Sequence, residues 1–305
     1  MNINTPFLSR LIQIMIFLLS TLALIMPRRI WLFFGGLLGR FCHLILKNHR
    51  QYALANVAYA LGGLPRQEQK AIVKKNFILL GVYLFEMLRY ARPTDAILEK
   101  NEKNIEFAGW EHFETARKTG KGILLLTGHF GFTELINMYY VKKTGRKLNF
   151  IMRHFDNHHL QKMFTAHSTR FGIRHLHKKN GLRPAIRNIT RGEDLIIFPD
   201  QSSNLREGVN STIFGRPAVT LSLLPSLAKR FGLPILPVFI FIQDDMLRHK
   251  IVFFPPIMAG DEDSIETLTQ KQNDVIEKAI RMKPEQWLWL HRRWKREKPE
   301  LYRAS

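Results

Sequence analysis

The sequence is nearly free of cysteine, since Cys42 is the only one among 305 residues. A single thiol excludes an internal disulfide and a zinc site built on paired Cys-x-x-Cys motifs. Its apolar surroundings favour a buried, unreactive state. The chain also lacks internal repeats, low-complexity tracts and a clear interdomain linker, and its length allows one sizeable domain or two small ones.

Acidic residues are scarce as well. Asp and Glu together number 25 against 46 Lys and Arg, which gives a formal charge of +21. An excess of this size favours an anionic partner. Charge alone leaves three classes of partner open: nucleic acid, anionic lipid and acidic protein.

Two apolar runs occupy residues 1–50. Residues 7–26 have the length that spans a bilayer, roughly 20 residues, so we predict a membrane-anchor helix there. The run over residues 30–46 is shorter and is interrupted by glycines and Arg40, which favours an interfacial or packed segment. More basic residues follow the first run than precede it, so the positive-inside bias places the rest of the chain in the cytoplasm.

Residues 51–103 show helical spacing, and strands then alternate with helices. We predict strands over residues 105–107, 123–127, 148–152, 195–198 and 235–242. We predict helices between them over residues 111–118, 160–171, 183–191 and 219–231. Such alternation predicts an α/β fold with a mostly parallel mixed sheet wrapped by helices. The chain is therefore divided into an anchor with an interfacial segment, residues 1–50, and a second domain, residues 51–305.

The most informative stretch follows the apolar run of residues 123–126, which is typical of a strand buried on both faces. A turn containing Gly128 and Gly131 comes next, and a helix begins near Thr133. His129 therefore lies at the carboxyl end of a strand, where open α/β sheets place their chemistry. Glu134 lies five residues later, in the first helical turn.

This spacing has a chemical use, because an imidazole can take a proton from a hydroxyl while a carboxylate fixes its tautomer. The two glycines allow the tight bend that folds Glu134 back on His129. The alternative is a loop histidine beside a glutamate that favours the helix dipole. The buried strand and the glycine-rich turn favour the catalytic interpretation.

Residues 127–134, Thr-Gly-His-Phe-Gly-Phe-Thr-Glu, resemble the His-x4-Asp/Glu box of the bacterial lipid A late acyltransferases, the lauroyl and myristoyl transferases. These enzymes belong to a superfamily that includes the glycerolipid and lysophospholipid acyltransferases. The resemblance extends from about residue 76 to residue 295, and further similar blocks occur in the family's order. They comprise Arg153, Asn157, Leu160 and Arg170; the segment 183–201 with Asp200 and Gln201; the segment 214–220; and the segment 284–295.

The resemblance implies an O-acyltransferase of lipopolysaccharide biosynthesis. It would move a fatty acyl chain from acyl carrier protein to a hydroxyl of an anionic lipid A precursor. It would act at the cell inner membrane, with its catalytic domain on the cytoplasmic side. No metal and no cofactor are expected, because the thioester already carries the activation. Acyl length, the hydroxyl acylated, and carrier protein versus coenzyme A as donor stay open.

The resemblance also implies roles for particular residues. His129 would be the general base, oriented by Glu134. Arg153 or Arg170 would hold lipid phosphates or the oxyanion, with Asp200 in support. The predicted substrate-binding set is Arg153, Asn157, Arg170 and Asp200.

Other interpretations remain at this stage. A run of histidines suggests a metal site, but no His-Glu-x-x-His motif or carboxylate pair accompanies it. The run comprises His154, His158, His159, His167, His175 and His177. A nucleic-acid-binding membrane protein would explain the charge and the carboxyl-terminal aromatic residues, but no known nucleic-acid-binding signature is present. A lipid-binding anchor without chemistry and an acyltransferase acting on another acceptor, such as a lysophospholipid, are further alternatives. We expect no nucleic-acid partner.

The carboxyl-terminal motif places three tryptophans beside a group of cations. Such aromatic residues could stack on nucleic acid or line a membrane interface. The cations should steer an acidic donor through charge. They are Arg292, Arg293, Lys295, Arg296 and Lys298.

Overall fold

A computed structural model describes residues 6–91, 94–152, 161, 165, 168–169, 171–178 and 180–303. The helices of these ranges are α1 (Pro6–Ile25), α2 (Arg28–Ile45), α3 (Lys47–Ala60), α4 (Arg66–Arg89), α5 (Asp95–Glu102), α6 (Trp110–Arg117), α7 (Glu134–Thr144), α8 (Leu182–Ile189), α9 (Leu223–Phe231) and α10 (Ile265–Met282). Two short 3-10 helices, Pro284–Gln286 and Pro299–Tyr302, follow α10.

The strands are β1 (Ile105–Ala108), β2 (Leu124–Leu126), β3 (Leu148–Met152), β4 (Ile173–His177), β5 (Asp194–Ile197), β6 (Gly208–Ile213), β7 (Arg216–Leu221), β8 (Ile235–Ile242) and β9 (His249–Phe253). A seven-stranded sheet has the order β1-β9-β8-β2-β5-β3-β4, and β6 and β7 form a separate hairpin. The five strands from β8 to β4 run parallel, whereas β9 is antiparallel to β8. The predicted α/β fold with a mostly parallel mixed sheet is confirmed.

The centre of the sheet is covered by helices on both faces, which is why β2 has no polar residue. Leu124 and Leu126 contact an apolar cluster to which α3, α8, α9 and α10 contribute. Leu125 points to the opposite face, into a cluster with side chains from α2, α6 and α7. All three leucines are 0% exposed, so β2 lies in the core and fixes the point at which the next loop begins.

The amino-terminal helices pack closely on α4. A Cβ added to Gly39 of α2 would lie 2.3 Å from the carbonyl oxygen of Phe77, so only glycine permits this approach. Trp31 reinforces the contact by donating its indole N–H to the carbonyl oxygen of Phe85 at 2.8 Å. The boundary predicted at residue 50 falls inside α3, and the division into domains stays a prediction.

The predicted anchor segment is helical and corresponds to α1. In the ranges described above, no single helix is long and apolar enough to cross a membrane; α2 and α3 pass by length and composition only as a pair, which is bent by 91°. Many large apolar side chains of α1 and α2 are nevertheless exposed, among them Leu18, Ile25, Phe33 and Leu44. The membrane anchor stays a prediction.

Candidate active site

Two polar loops meet where β2 and β5 end. The register of these parallel neighbours pairs Leu126 with Ile197, the last residue of each strand. Three residues beyond that pair lie His129 in one loop and Asp200 in the other. Because parallel strands end at the same edge of a sheet, the two side chains are brought together at the place where such folds bind ligands.

Asp200 binds His129 at two atoms. Its Oδ2 accepts a hydrogen bond from the backbone N–H of His129 at 2.8 Å, and its Oδ1 lies 2.8 Å from Nδ1 of the ring. Because an ionised carboxylate only accepts, Nδ1 carries the proton, and in the neutral ring Nε2 keeps a free lone pair. A Cβ at Gly128 would lie 3.2 Å from the Asp200 carboxyl carbon, so glycine permits this close approach.

The surroundings of the pair favour charge on both members. Burial lowers the pKa of His129, but the charge and hydrogen bond of Asp200 and the charge of Glu134 outweigh it, so the net pKa is raised. Burial alone would raise the pKa of Asp200, yet His129 and the hydrogen bonds from His129 and Trp287 lower it to about 2. The His129 side chain is 36% exposed and that of Asp200 is 1% exposed, so substrate can reach only the imidazole.

The carboxyl-terminal segment closes the buried side of Asp200. Trp287 donates its indole N–H to Asp200 Oδ2 at 2.8 Å. The next residue, Leu288, donates its backbone N–H to the carbonyl oxygen of His129 at 3.1 Å. These bonds tie the segment after α10 to both members of the pair, Asp200 and His129.

The three tryptophans of this segment are buried, not presented to a ligand or a membrane. Trp287, Trp289 and Trp294 are 2%, 0% and 0% exposed. The alternative in which they form a stacking or interfacial surface is therefore excluded, because their rings are part of the core on one face of the sheet. The nucleic-acid hypothesis loses one of the two features that it explained.

Arg293 also lies inside the molecule. It donates from Nη1 to the carbonyl oxygen of Val219 at 2.8 Å and from Nη2 to Thr220 Oγ1 at 2.6 Å. Burial lowers its pKa to about 10, against the opposing charges of Asp200 and Glu297. Arg293 cannot steer a donor as predicted, whereas the neighbouring cations Arg292, Lys295 and Arg296 are exposed.

Glu134 begins α7 and is partly buried. Burial raises its pKa, while its own backbone N–H and the charge of His129 oppose that rise. No hydrogen bond joins its carboxylate to the imidazole, whose Nδ1 is occupied by Asp200. The orienting contact predicted for Glu134 is thus made by Asp200, and Glu134 acts on His129 as a nearby negative charge. Its role in activity stays a prediction.

The other ring nitrogen of His129, Nε2, is contacted by Gln201. The amide Nε2 of Gln201 lies 3.3 Å from His129 Nε2, a long hydrogen bond in which the amide donates to the lone pair. The ring of Phe198 packs beside the imidazole with a centroid distance of 5.2 Å. An incoming hydroxyl therefore has to replace one weak neutral bond to reach Nε2.

The remaining predicted site residues, Arg153, Asn157 and Arg170, lie outside the described residues. So do His154, His158, His159 and His167 of the histidine run. Within the parts of the chain that the structure describes, no group of three or more His, Cys, Asp or Glu side chains is arranged to hold a metal ion.

Sequence reasoning missed Trp287 as a partner of Asp200. The segment 284–295 stands out through its aromatic residues, but neither composition nor spacing indicates which indole N–H meets a carboxylate. The signal that would have helped is the pair of polar strand ends, because a buried carboxylate at such an edge needs further donors. The indole N–H groups of the segment 284–295 were the candidates for these further donors.

A strand-end imidazole held by a buried carboxylate has the composition of a general-base site on an α/β fold. The family model described as bacterial lipid A biosynthesis acyltransferase matches residues 5–296. The protein belongs to this family and is an acyltransferase of lipid A biosynthesis.

The names of similar proteins specify different acyl chains. The lipid A biosynthesis lauroyltransferase of Escherichia coli (strain K12) is 27% identical over 268 residues, which cover 85% of this chain and 83% of that protein. The palmitoleoyltransferase of the same strain is 24% identical over 278 residues, which cover 88% and 86%. The predicted lauroyl or myristoyl type is therefore not assigned.

Among solved structures, the 1-acyl-sn-glycerophosphate acyltransferase PlsC from Thermotoga maritima is similar with a TM-score of 0.40 and 14% identity. The match covers 86% of this chain and 99% of that one. A likeness at this level carries no argument about function.

Proposed function

We propose that this enzyme transfers a fatty acyl chain from acyl carrier protein to a hydroxyl of a lipid A precursor, at the cytoplasmic face of the inner membrane. The observation that carries the chemistry is the buried Asp200 carboxylate, 2.8 Å from His129 Nδ1, which leaves Nε2 of the partly exposed ring to accept a proton. Membership of the lipid A family supports the acceptor class.

His129 acts as the general base. The acceptor hydroxyl replaces the Gln201 amide at Nε2 of His129. Nε2 then takes the hydroxyl proton as the hydroxyl oxygen attacks the thioester carbonyl carbon. The new C–O bond forms and the carbonyl electrons move onto oxygen. The carbonyl then re-forms, the C–S bond breaks, and the departing thiolate takes the proton from the imidazolium. Asp200 remains ionised and stabilises the imidazolium throughout.

Anion recognition is assigned to Arg153 and Arg170, which would hold the lipid phosphates or the developing oxyanion, and Asn157 is a further proposed substrate-binding residue. Guanidinium groups suit phosphate and oxyanion binding because they donate in a fixed planar geometry. No metal or cofactor takes part in this proposal, because the thioester supplies the activated acyl group.

The acidic carrier protein is the proposed donor because the chain has a formal charge of +21 and exposed Arg292, Lys295 and Arg296 near its carboxyl end. Raising the salt concentration should lower kcat/KM for the carrier-bound substrate more than it lowers kcat. A kcat/KM that ignores salt would contradict electrostatic docking of the carrier.

Membrane association is proposed from the exposed apolar side chains of α1 and α2, such as Leu18 and Phe33. Exposed apolar side chains in this number favour burial in a lipid interface. Protease added to the outside of spheroplasts should leave the domain after α3 intact. Cleavage of that domain from the periplasmic side would contradict the proposed orientation.

The decisive experiment on function is mass spectrometry of lipid A from cells that lack the chain and from cells that overproduce it. The proposal expects one additional acyl mass on a defined lipid A precursor when the chain is present. Cells that produce His129→Ala at equal abundance should resemble the deletion. Unchanged lipid A together with an acylated lysophospholipid would instead favour the alternative acceptor.

A further inference from the structure

Three tryptophans of the segment 284–294 are buried to the same degree but use their indole N–H groups differently. Trp287 donates to the carboxylate of Asp200 at 2.8 Å. Trp289 donates to the backbone carbonyl of Pro284 at 2.6 Å. The indole nitrogen of Trp294 has no hydrogen-bond partner. Of the three, only Trp287 therefore forms a hydrogen bond with a site residue, although the burial of the three rings is nearly the same.

The bond from Trp287 restrains the one oxygen of Asp200 that does not face the imidazole. Oδ1 binds His129 Nδ1, and Oδ2 binds both the His129 backbone N–H and the indole. A carboxylate turns about its terminal bond with little resistance because this torsion has no sharp rotamer wells. Two donors on Oδ2 fix the plane of the carboxylate, and this plane sets the direction in which Oδ1 meets the imidazole.

Trp287 is itself fixed from the amino-terminal helices. Asn76 of α4 is 0% exposed and donates from Nδ2 to the carbonyl oxygens of Glu285 at 2.8 Å and Trp287 at 2.7 Å. A similar bond pair from Asn56 of α3 holds the carbonyl oxygens of Trp289 and His291, at 2.6 and 2.8 Å. Two buried asparagines on neighbouring helices thus fix the position of the segment 285–291 relative to the sheet.

We propose that Trp287 is a positioning residue for acyl transfer, which fixes the Asp200 carboxylate against His129 and is itself held in place by Asn76. This inference rests on the proposed function, since it assigns a part to the same His129 base. The chain of contacts runs from α4, through Asn76 and the indole of Trp287, to Asp200 and His129. It connects α4 to the imidazole whose Nε2 performs the chemistry.

The test compares Trp287→Phe with Trp289→Phe, a matched loss of one buried indole two residues away. Histidine labelled with nitrogen-15 reports by NMR which ring nitrogen of His129 carries the proton, at a pH above its pKa. Wild type should show the proton on Nδ1. Trp287→Phe should populate the Nε2–H tautomer, and its kcat should fall on the order of tenfold at nearly unchanged KM, as expected for a lost bond to a charged group. Trp289→Phe should lower the melting temperature and leave the tautomer and kcat near wild type.

A wild-type tautomer and kcat in folded Trp287→Phe would overturn the inference, and so would an equal change in Trp289→Phe. If Trp287→Phe does not fold, Asn76→Ala decides, because it keeps the indole and removes the two hydrogen bonds from Asn76 to the carbonyl oxygens of Glu285 and Trp287. A shift toward Nε2–H in Asn76→Ala supports the inference, and an unchanged tautomer overturns it. The tautomer is read without substrate, so an absence of acyl transfer in the wild type would refute the proposed function and leave this result standing.

Discussion

Two buried aspartates lie near opposite ends of β5, and their partners differ. Asp194, the first residue of the strand, accepts from Arg146 Nε and Nη2 at 2.6 Å each, from the hydroxyl of Tyr140 at 2.7 Å and from the backbone N–H of Ile123 at 2.8 Å. Asp200, beyond the last residue, accepts from His129 and Trp287. Both carboxylates are buried, at 0% and 2% exposure.

The difference lies in the cation. Arg146 is charged at every accessible pH and cannot exchange a proton near neutral pH, so its pair with Asp194 has a structural part. The partner of Asp200 is an imidazole, whose charge appears and disappears near neutral pH. An aspartate at one end of β5 thus supports the fold because its partner is a guanidinium. The aspartate beyond the other end supports proton transfer because its partner titrates.

Among the three carboxylate substitutions, Asp200→Asn should produce the largest loss of activity. The amide keeps the shape of the side chain but no longer stabilises the imidazolium or enforces the Nδ1–H tautomer. We expect kcat to fall on the order of 10³-fold, within the range for loss of general-base catalysis. Steady-state kinetics with carrier-bound acyl donor measure this loss, and far-UV circular dichroism checks the fold. A loss of less than tenfold would remove the distinction between the two aspartates.

Asp194→Asn should act on stability instead. Removing one partner of a buried ion pair leaves Arg146 without its counter-charge, and the free energy of unfolding should fall by about 3 kcal/mol. Denaturant titration measures this change. The kcat of the folded enzyme should stay near that of the wild type, and a collapse of kcat in well-folded Asp194→Asn would contradict a purely structural part.

Glu134→Gln should have the smallest effect and should appear mainly in the pH profile. The base needs neutral His129, so activity is lost as the pH falls through the pKa of this residue, which is raised above its ordinary value. Because the charge of Glu134 contributes to that rise, its removal should move the acid limb of kcat/KM to lower pH, with a change in kcat of only a few-fold.

The control for Glu134→Gln is Asp200→Asn assayed at the same pH values. An unmoved acid limb would show that Glu134 does not influence the imidazole. A loss in Glu134→Gln as large as that in Asp200→Asn would return the orienting role to Glu134.

The site edge could be predicted from local sequence. The apolar run that became β2 and the glycines around His129 put the histidine at a strand end. The segment before Asp200 placed that carboxylate at a second strand end, and the structure makes the two strands neighbours. Burial on both faces of a central strand leaves a pattern that short windows of sequence reveal.

The choice between Asp200 and Glu134 could not be read locally. It depends on the register of β2 with β5, which joins residues 71 positions apart, whereas Glu134 is near in sequence and drew the prediction. Tertiary context also shortened the helix predicted over residues 219–231, which begins only at Leu223 as α9. Val219 lies in β7 of a hairpin turned by Phe214 and Gly215, both with positive φ, at 56° and 66°, as type I′ turns require.

The most direct test of the account is a double-mutant cycle in kcat between His129→Ala and Asp200→Asn. His129→Ala alone should cost on the order of 10³ in kcat, because the base is removed. If Asp200 acts only through His129, the double variant should be no slower than His129→Ala, so the two losses should not add. Losses that multiply would show two independent contributions and would contradict the His129–Asp200 pair as one catalytic unit.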